Sequence, residues 1–166
     1  ANELSKMTRL CLAGLLHLMP ASVAILAPTV NAYRRMRKNL NEPLFSSWGY
    51  NKRSAALRIP CSTEDNRRIE YRLAGADANP YLVMAAVLTG MLYGLEKVDS
   101  DAVERIFNTP PALPLFQQQA ITAYQDCHYL MESLGRDFSQ QWVLSKLEAL
   151  TQFETIVTAE ESAMSF

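Results

Sequence analysis

Arginine is concentrated in the middle of this sequence, and the segment Arg67-Arg-Ile-Glu-Tyr-Arg-Leu73 arranges it with a chemically useful spacing. Read as a strand, it places Arg68, Glu70 and Arg72 on one face and Arg67, Ile69, Tyr71 and Leu73 on the other. In the segment Ser54 to Ile59 the same alternation groups Ser54, Ala56 and Arg58. If the two strands pair, their charged faces merge into one basic floor holding a single carboxylate. The planar fork of a guanidinium donates two hydrogen bonds at once, so such a floor suits phosphate or carboxylate oxygens. Glu70 then has two readings. It is an ion-pair partner of the arginines, or a hard-metal ligand shared with a nucleotide phosphate.

Other reactive side chains are less well placed. His17 lies in an apolar helical stretch and reads as a packed histidine rather than a ligand. Cys127 and His128 are adjacent, which is not zinc-site spacing. The three cysteines, at positions 11, 61 and 127, form no paired framework and are expected as reduced thiols.

The elements that must position the arginines follow from periodicity. Leu4, Met7, Cys11, Leu15, Leu18 and Met19 recur at helical spacing, with a stop expected at Pro20 and a second apolar stretch from Ala21 to Ala27. Strands are expected over Leu44–Tyr50, Ser54–Ile59 and Arg67–Leu73, with Asn51-Lys52 turning the first into the second. Asn79-Pro80 is a helix start, cap residue followed by proline, and the helix carries Tyr81, Met84, Ala85, Leu88, Leu92 and Leu95 on one side. Asp99 or Ser100 caps a short helix ending near Asn108. Ile121 to Leu134 reads as one amphipathic helix closed by Gly135, and Phe138 to Phe153 as the last, before a frayed end. Three central strands flanked by helices, with no alternating βαβ pattern, make an α+β fold with an antiparallel sheet.

The net charge of −1 hides an asymmetry. Asn31 to Arg72 holds ten Lys/Arg and four Asp/Glu, whereas Leu73 to the end holds four and twelve. The basic block asks for an anionic partner. Nucleic acid is a poor candidate, because aromatics are not interleaved as stacking platforms and the rest is acidic. The most apolar stretch, Leu10 to Ala27, is interrupted by Gly14, His17, Pro20 and Ser22 and reads as a core helix rather than a membrane span. With no basic-apolar leader at its start, the chain is expected in the cytoplasm.

Several short motifs, in order and at near-family spacing, raise the specificity of the reading. Asn31-Ala-Tyr-Arg-Arg35, Asn51-Lys-Arg-Ser54, Leu57-Arg-Ile-Pro60, Arg67-Arg-Ile-Glu-Tyr-Arg72 and Ala78-Asn-Pro-Tyr81 resemble the catalytic domain of the glutamine synthetase family. The resemblance is good from about Leu10 to Lys97. It implies that Arg35 holds the carboxylate of glutamate and that Arg53 and Arg58 contact ATP phosphates and the phosphoryl group in transfer. It further implies that Arg68 lies near the nucleotide, that Glu70 binds Mg²⁺ or Mn²⁺, and that Arg72 contacts glutamate. The implied reaction phosphorylates the glutamate side chain to an acyl phosphate that an amine attacks, in a ring-shaped homo-oligomer with sites between subunits.

Two departures shape the expectation. The family supplies further metal-binding carboxylates and a histidine from an upstream half absent here. The chain therefore reads as the C-terminal part of such a domain, with helices over 1–30, arginine-rich loop and strands over 31–73, and a helical region over 79–166. Glutamine-forming members also carry a flap glutamate two residues before the proline aligned with Pro43. Here Asn41 stands there and Glu42 one step later, and asparagine cannot act as a base. Asn31-Ala-Tyr-Arg-Arg35, Trp48-Gly-Tyr50 and Gly75-Ala-Asp-Ala-Asn-Pro-Tyr81 look closer to the gamma-glutamylpolyamine synthetase branch, in which glutamate is joined to an amine such as putrescine. The expectation is thus a glutamate–amine ligase of which this chain carries part of the site. An ammonia-using glutamine synthetase and a catalytically silent structural or regulatory member are the alternatives.

Overall fold

The apolar N-terminal run forms one helix, α1 (Lys6–Leu26), capped by Ser5, whose hydroxyl accepts from Thr8 N at 3.2 Å. The expected stop at Pro20 does not occur. Proline has no N–H, so the carbonyl four residues earlier, Leu16 O, loses its helical partner. Fully buried Ser46 donates its hydroxyl to Leu16 O at 2.6 Å, replacing the missing bond. A side chain thirty residues along the sequence therefore lets α1 continue. The helix is apolar enough to span a membrane by length and composition, with a mean hydropathy of 1.7, but most of it is buried in the core. The computed structural model describes residues 4–38 and 43–164, so the expectations for Asn41 and Glu42 lie outside the described residues.

A second helix, α2 (Val30–Lys38), follows Thr29 and buries Ala32, Tyr33 and Met36. Three short strands come next: β1 (Trp48–Tyr50), β2 (Leu57–Ile59) and β3 (Glu70–Tyr71). They are shorter than the sequence predicted, and the sheet is mixed rather than wholly antiparallel. The β2–β3 pair is antiparallel, whereas β1 and β2 run parallel, in the order β1-β2-β3. Asn51 does turn the chain, at a left-handed φ of 49°, but into a crossover rather than a hairpin. Residues 54–56, expected as strand, lie in that crossover. Ala55 and Ala56 are fully buried in it, small enough to pass through the core. A short 3₁₀ turn, Glu64–Asn66, leads toward β3.

Asn79 caps α3 (Pro80–Lys97) as predicted, its side chain accepting from Tyr81 N at 2.9 Å. The apolar side read from the sequence faces outward: Tyr81, Met84, Leu88, Leu92 and Leu95 are all exposed. The reason lies on the opposite face, where Ala86, Thr89, Gly90 and Gly94 are buried. A Cβ on Gly14 of α1 would overlap Gly90 O and Gly94 N, and one on Gly94 would overlap Leu10 O. The two helices thus cross backbone against backbone, and only the small-residue face of α3 fits that approach.

Asp99 caps α4 (Ser100–Asn108), accepting from Ala102 N at 2.6 Å. Arg9 of α1 pairs with Glu104 there and lies over the Phe107 ring. The proline-rich loop after α4 bonds to the segment before β1 through Ser46 N to Pro111 O and Leu113 N to Leu44 O, both 2.9 Å. The single helix predicted from Ile121 to Leu134 is two: α5 (Gln117–Gln125) and α6 (His128–Ser133). Apolar residues spaced by three drift about 60° per step around an α-helix, so an unbroken helix would turn Leu130 away from Ile121. The break buries Ile121, Tyr124 and Leu130 together. The last long helix, α7 (Arg136–Glu154), follows Gly135 at φ 95°, and a short α8 (Ala159–Met164) occupies the end expected to fray. The fold is α+β, helix-rich, with its core around α1.

Candidate active site

Antiparallel pairing of β2 and β3 sets Arg58 directly opposite Glu70. Directly paired residues share a face, and Arg68, two positions before Glu70, shares it by alternation. The side chains meet accordingly. Arg58 Nη1 donates to Glu70 Oε2 at 2.9 Å and Arg68 Nη2 to Glu70 Oε1 at 3.1 Å. Arg58 is further held by Asn51 Oδ1 at 2.5 Å, so the left-handed turn residue also orients the central guanidinium. Its Nε is buried without a partner, an unmet donor beside the cluster.

The cluster grades from inside to outside. The Arg58 and Glu70 side chains are 20% and 29% exposed, Arg68 56%. One carboxylate neutralises one of its two guanidinium neighbours, leaving net positive charge in a partly desolvated setting where it acts more strongly than in water. Arg72 continues the strand. Its N donates to Ala56 O at 2.9 Å and its Nη1 to Ala55 O at 3.1 Å, fixing the guanidinium against the crossover. Arg53 stands exposed in that crossover. Arg35 comes from α2 and lies against Gly75, after β3. The structure therefore joins Arg58, Arg68 and Glu70 in one network, ties Arg72 to its margin, and delivers Arg53 and Arg35 from other segments.

The family resemblance implies a metal ion at Glu70. Among the described residues no group of three or more His, Cys, Asp or Glu side chains could hold one, and both Glu70 oxygens already accept from arginine. His17 is not enclosed as expected. Its ring stacks flat on Tyr93 at 4.8 Å with an exposed edge, and partial burial lowers its pKa. His128 begins α6, after Cys127. Sequence reasoning gave no role to Asn51, although its turn propensity was evident, or to Asp77, the acidic residue of the Gly75-Ala-Asp segment.

A basic strand pair built around one glutamate, on an α1-centred α+β scaffold, has a clear family. The family model described as "Glutamine synthetase, catalytic domain" matches residues 1–165, and the chain belongs to that family. Among its relatives, the gamma-glutamylputrescine synthetase PuuA of Escherichia coli K12 is 42% identical over 167 aligned residues, which cover 96% of this chain and 35% of that protein. The glutamine synthetase of Pyrococcus woesei is also 42% identical, over 89 residues, covering 53% of this chain and 20% of the relative. A solved structure of GmaS, "Apo GmaS without ligand", superposes with a TM-score of 0.79 at 28% identity, covering 98% of this chain and 38% of the other. The chain thus spans about a third of the length of such relatives.

Proposed function

We propose that the protein containing this chain is an ATP- and divalent-metal-dependent ligase that joins glutamate, through a gamma-glutamyl phosphate, to an organic amine such as putrescine. The observation that carries this reading is the 42% identity to a gamma-glutamylputrescine synthetase across nearly the whole chain. The chemistry of the cluster supports it, because both glutamate and the phosphates of ATP are oxyanions that guanidinium groups bind.

The roles proposed for individual residues follow. Arg35 and Arg72 hold glutamate, and Arg72 is tethered at Ala55 O. Arg53 and Arg58 bind the phosphates and neutralise charge on the phosphoryl group as it moves, with Arg68 nearer the nucleotide. A bound Mg²⁺ or Mn²⁺ would polarise the transferring phosphoryl group, and Glu70 is the side chain here that would hold it. Each Glu70 oxygen accepts one hydrogen bond from arginine and keeps a further lone pair with which it would meet a cation. The remaining ligands come from elsewhere in the protein, which acts in the cytoplasm as a homo-oligomer with sites between subunits.

A second reading, glutamine synthesis from ammonia, is favoured by the pyrococcal relative. ADP release by the full-length protein with ATP, Mg²⁺ and glutamate separates the two. Stimulation by putrescine or another amine supports the first, and stimulation by ammonium alone the second. Silence with every amine returns the chain to a non-catalytic role.

A further inference from the structure

Arg35 is a long, exposed side chain near the end of α2, and a flexible guanidinium positions substrate only if something holds it. The residues after β3 supply a support. Gly75 N donates to Leu26 O at 2.9 Å and Ala78 N to Gly75 O at 3.1 Å, so this turn is anchored to the last turn of α1. A Cβ on Gly75 would lie 3.1 and 3.5 Å from Arg35 Nη2 and Nη1, and would overlap Asp77 Oδ1. Guanidinium and carboxylate therefore rest against the same bare α-carbon. The other oxygen of the carboxylate, Asp77 Oδ2, accepts from Thr29 Oγ1 at 2.7 Å. Thr29 is also the residue that caps α2, accepting from Ala32 N at 3.3 Å. The field of Asp77 reaches two further groups. It adds to the burial that raises the Tyr33 phenol, and it pulls Lys146 of α7 back up against a burial that lowers it.

We propose that Asp77 is a positioning residue for Arg35, its carboxylate bridging the cap of α2 to the guanidinium and fixing where that group meets substrate. The inference rests on the reading of Arg35 as the anchor for the glutamate carboxylate. A guanidinium has more than one donor edge, so a carboxylate on one edge leaves another free to grip substrate in two bonds. Gly75 serves the same purpose by leaving room for both groups. The apolar and helical remainder of the chain enters as well, since Lys146 places α7 within the reach of the same carboxylate.

The test is steady-state kinetics of the full-length protein, varying glutamate at saturating ATP, Mg²⁺ and amine. Asp77→Asn, which removes the charge at constant shape, raises KM for glutamate about three- to tenfold, while kcat and KM for ATP stay within about twofold. Gly75→Ala, whose methyl displaces both groups, moves the same constant in the same direction. Arg35→Lys is the control. If Arg35→Lys raises KM for glutamate while Asp77→Asn leaves it unchanged or lowers it, the inference is overturned and the role of Arg35 stands. If Arg35→Lys itself leaves it unchanged, the reading of Arg35 fails, and the inference with it. A fall in kcat or Tm with KM unmoved assigns Asp77 a structural role and also overturns the inference. Should Asp77→Asn not fold, Thr29→Val, which removes the donor to Asp77 Oδ2, decides by the same readout.

Discussion

Ser46→Ala, alone and combined with Pro20→Ala, tests how α1 survives an internal proline. Ser46 is fully buried and its hydroxyl is 2.6 Å from Leu16 O, the carbonyl that Pro20 leaves without a helical donor. Removing the hydroxyl creates almost no cavity, so its main effect is to strand a buried carbonyl, at about 1–3 kcal/mol. That is a large share of the roughly 5–15 kcal/mol typical of a folded domain. With alanine at position 20, an N–H returns to the helix and bonds Leu16 O directly. In that background Ser46→Ala then costs under about 1 kcal/mol, and the double-mutant cycle gives a coupling of about 1–2 kcal/mol. Equilibrium urea unfolding of the four variants reads this from the midpoints at constant slope. Equal cost of Ser46→Ala in both backgrounds, within about 0.5 kcal/mol, refutes the reasoning.

Two further outcomes are expected. In the full-length protein Glu70→Gln abolishes metal-dependent ADP release while far-UV circular dichroism is retained; unchanged turnover would remove Glu70 from the site. Gly14→Ala forces α1 from Gly90 and Gly94 and costs about 3 kcal/mol or more, whereas Gly90→Ala, whose closest contact is the movable Leu15 Cδ2 at 2.9 Å with Leu15 Cα at 3.3 Å, costs less in the same unfolding assay.

Local signals were legible in the sequence. Asn79-Pro80 and Asp99 start their helices because cap chemistry involves only the next three residues. The shared face of Arg68 and Glu70 was legible because strand alternation needs no partner. What depended on distant residues was not. Pro20 looked like a stop because its remedy, Ser46, lies in another segment. The apolar side of α3 was legible, but not that it faces outward, because the glycine that sets this, Gly14, belongs to α1. The parallel β1–β2 pair was hidden by strands of three residues, too short for periodicity to report direction. At the site, six residues were named from motifs, but the supports of two of them, Asn51 for Arg58 and Asp77 for Arg35, became visible only in three dimensions.

The glycine crossing of α1 and α3 also sets a mechanical tolerance. Most helix pairs are separated by side chains that can change rotamer, and so act as a compressible cushion. At Gly14, Gly90 and Gly94 main chain rests on main chain, leaving little compliance to absorb a shift. The two helices behave as one strut. At one end of it Leu26 O grips Gly75, and a few residues later Asn79 begins α3. The turn that carries Gly75 and Asp77 thus joins two helices at one end of a single rigid body, and its geometry is set by the spacing of two backbones rather than by the loop's own sequence.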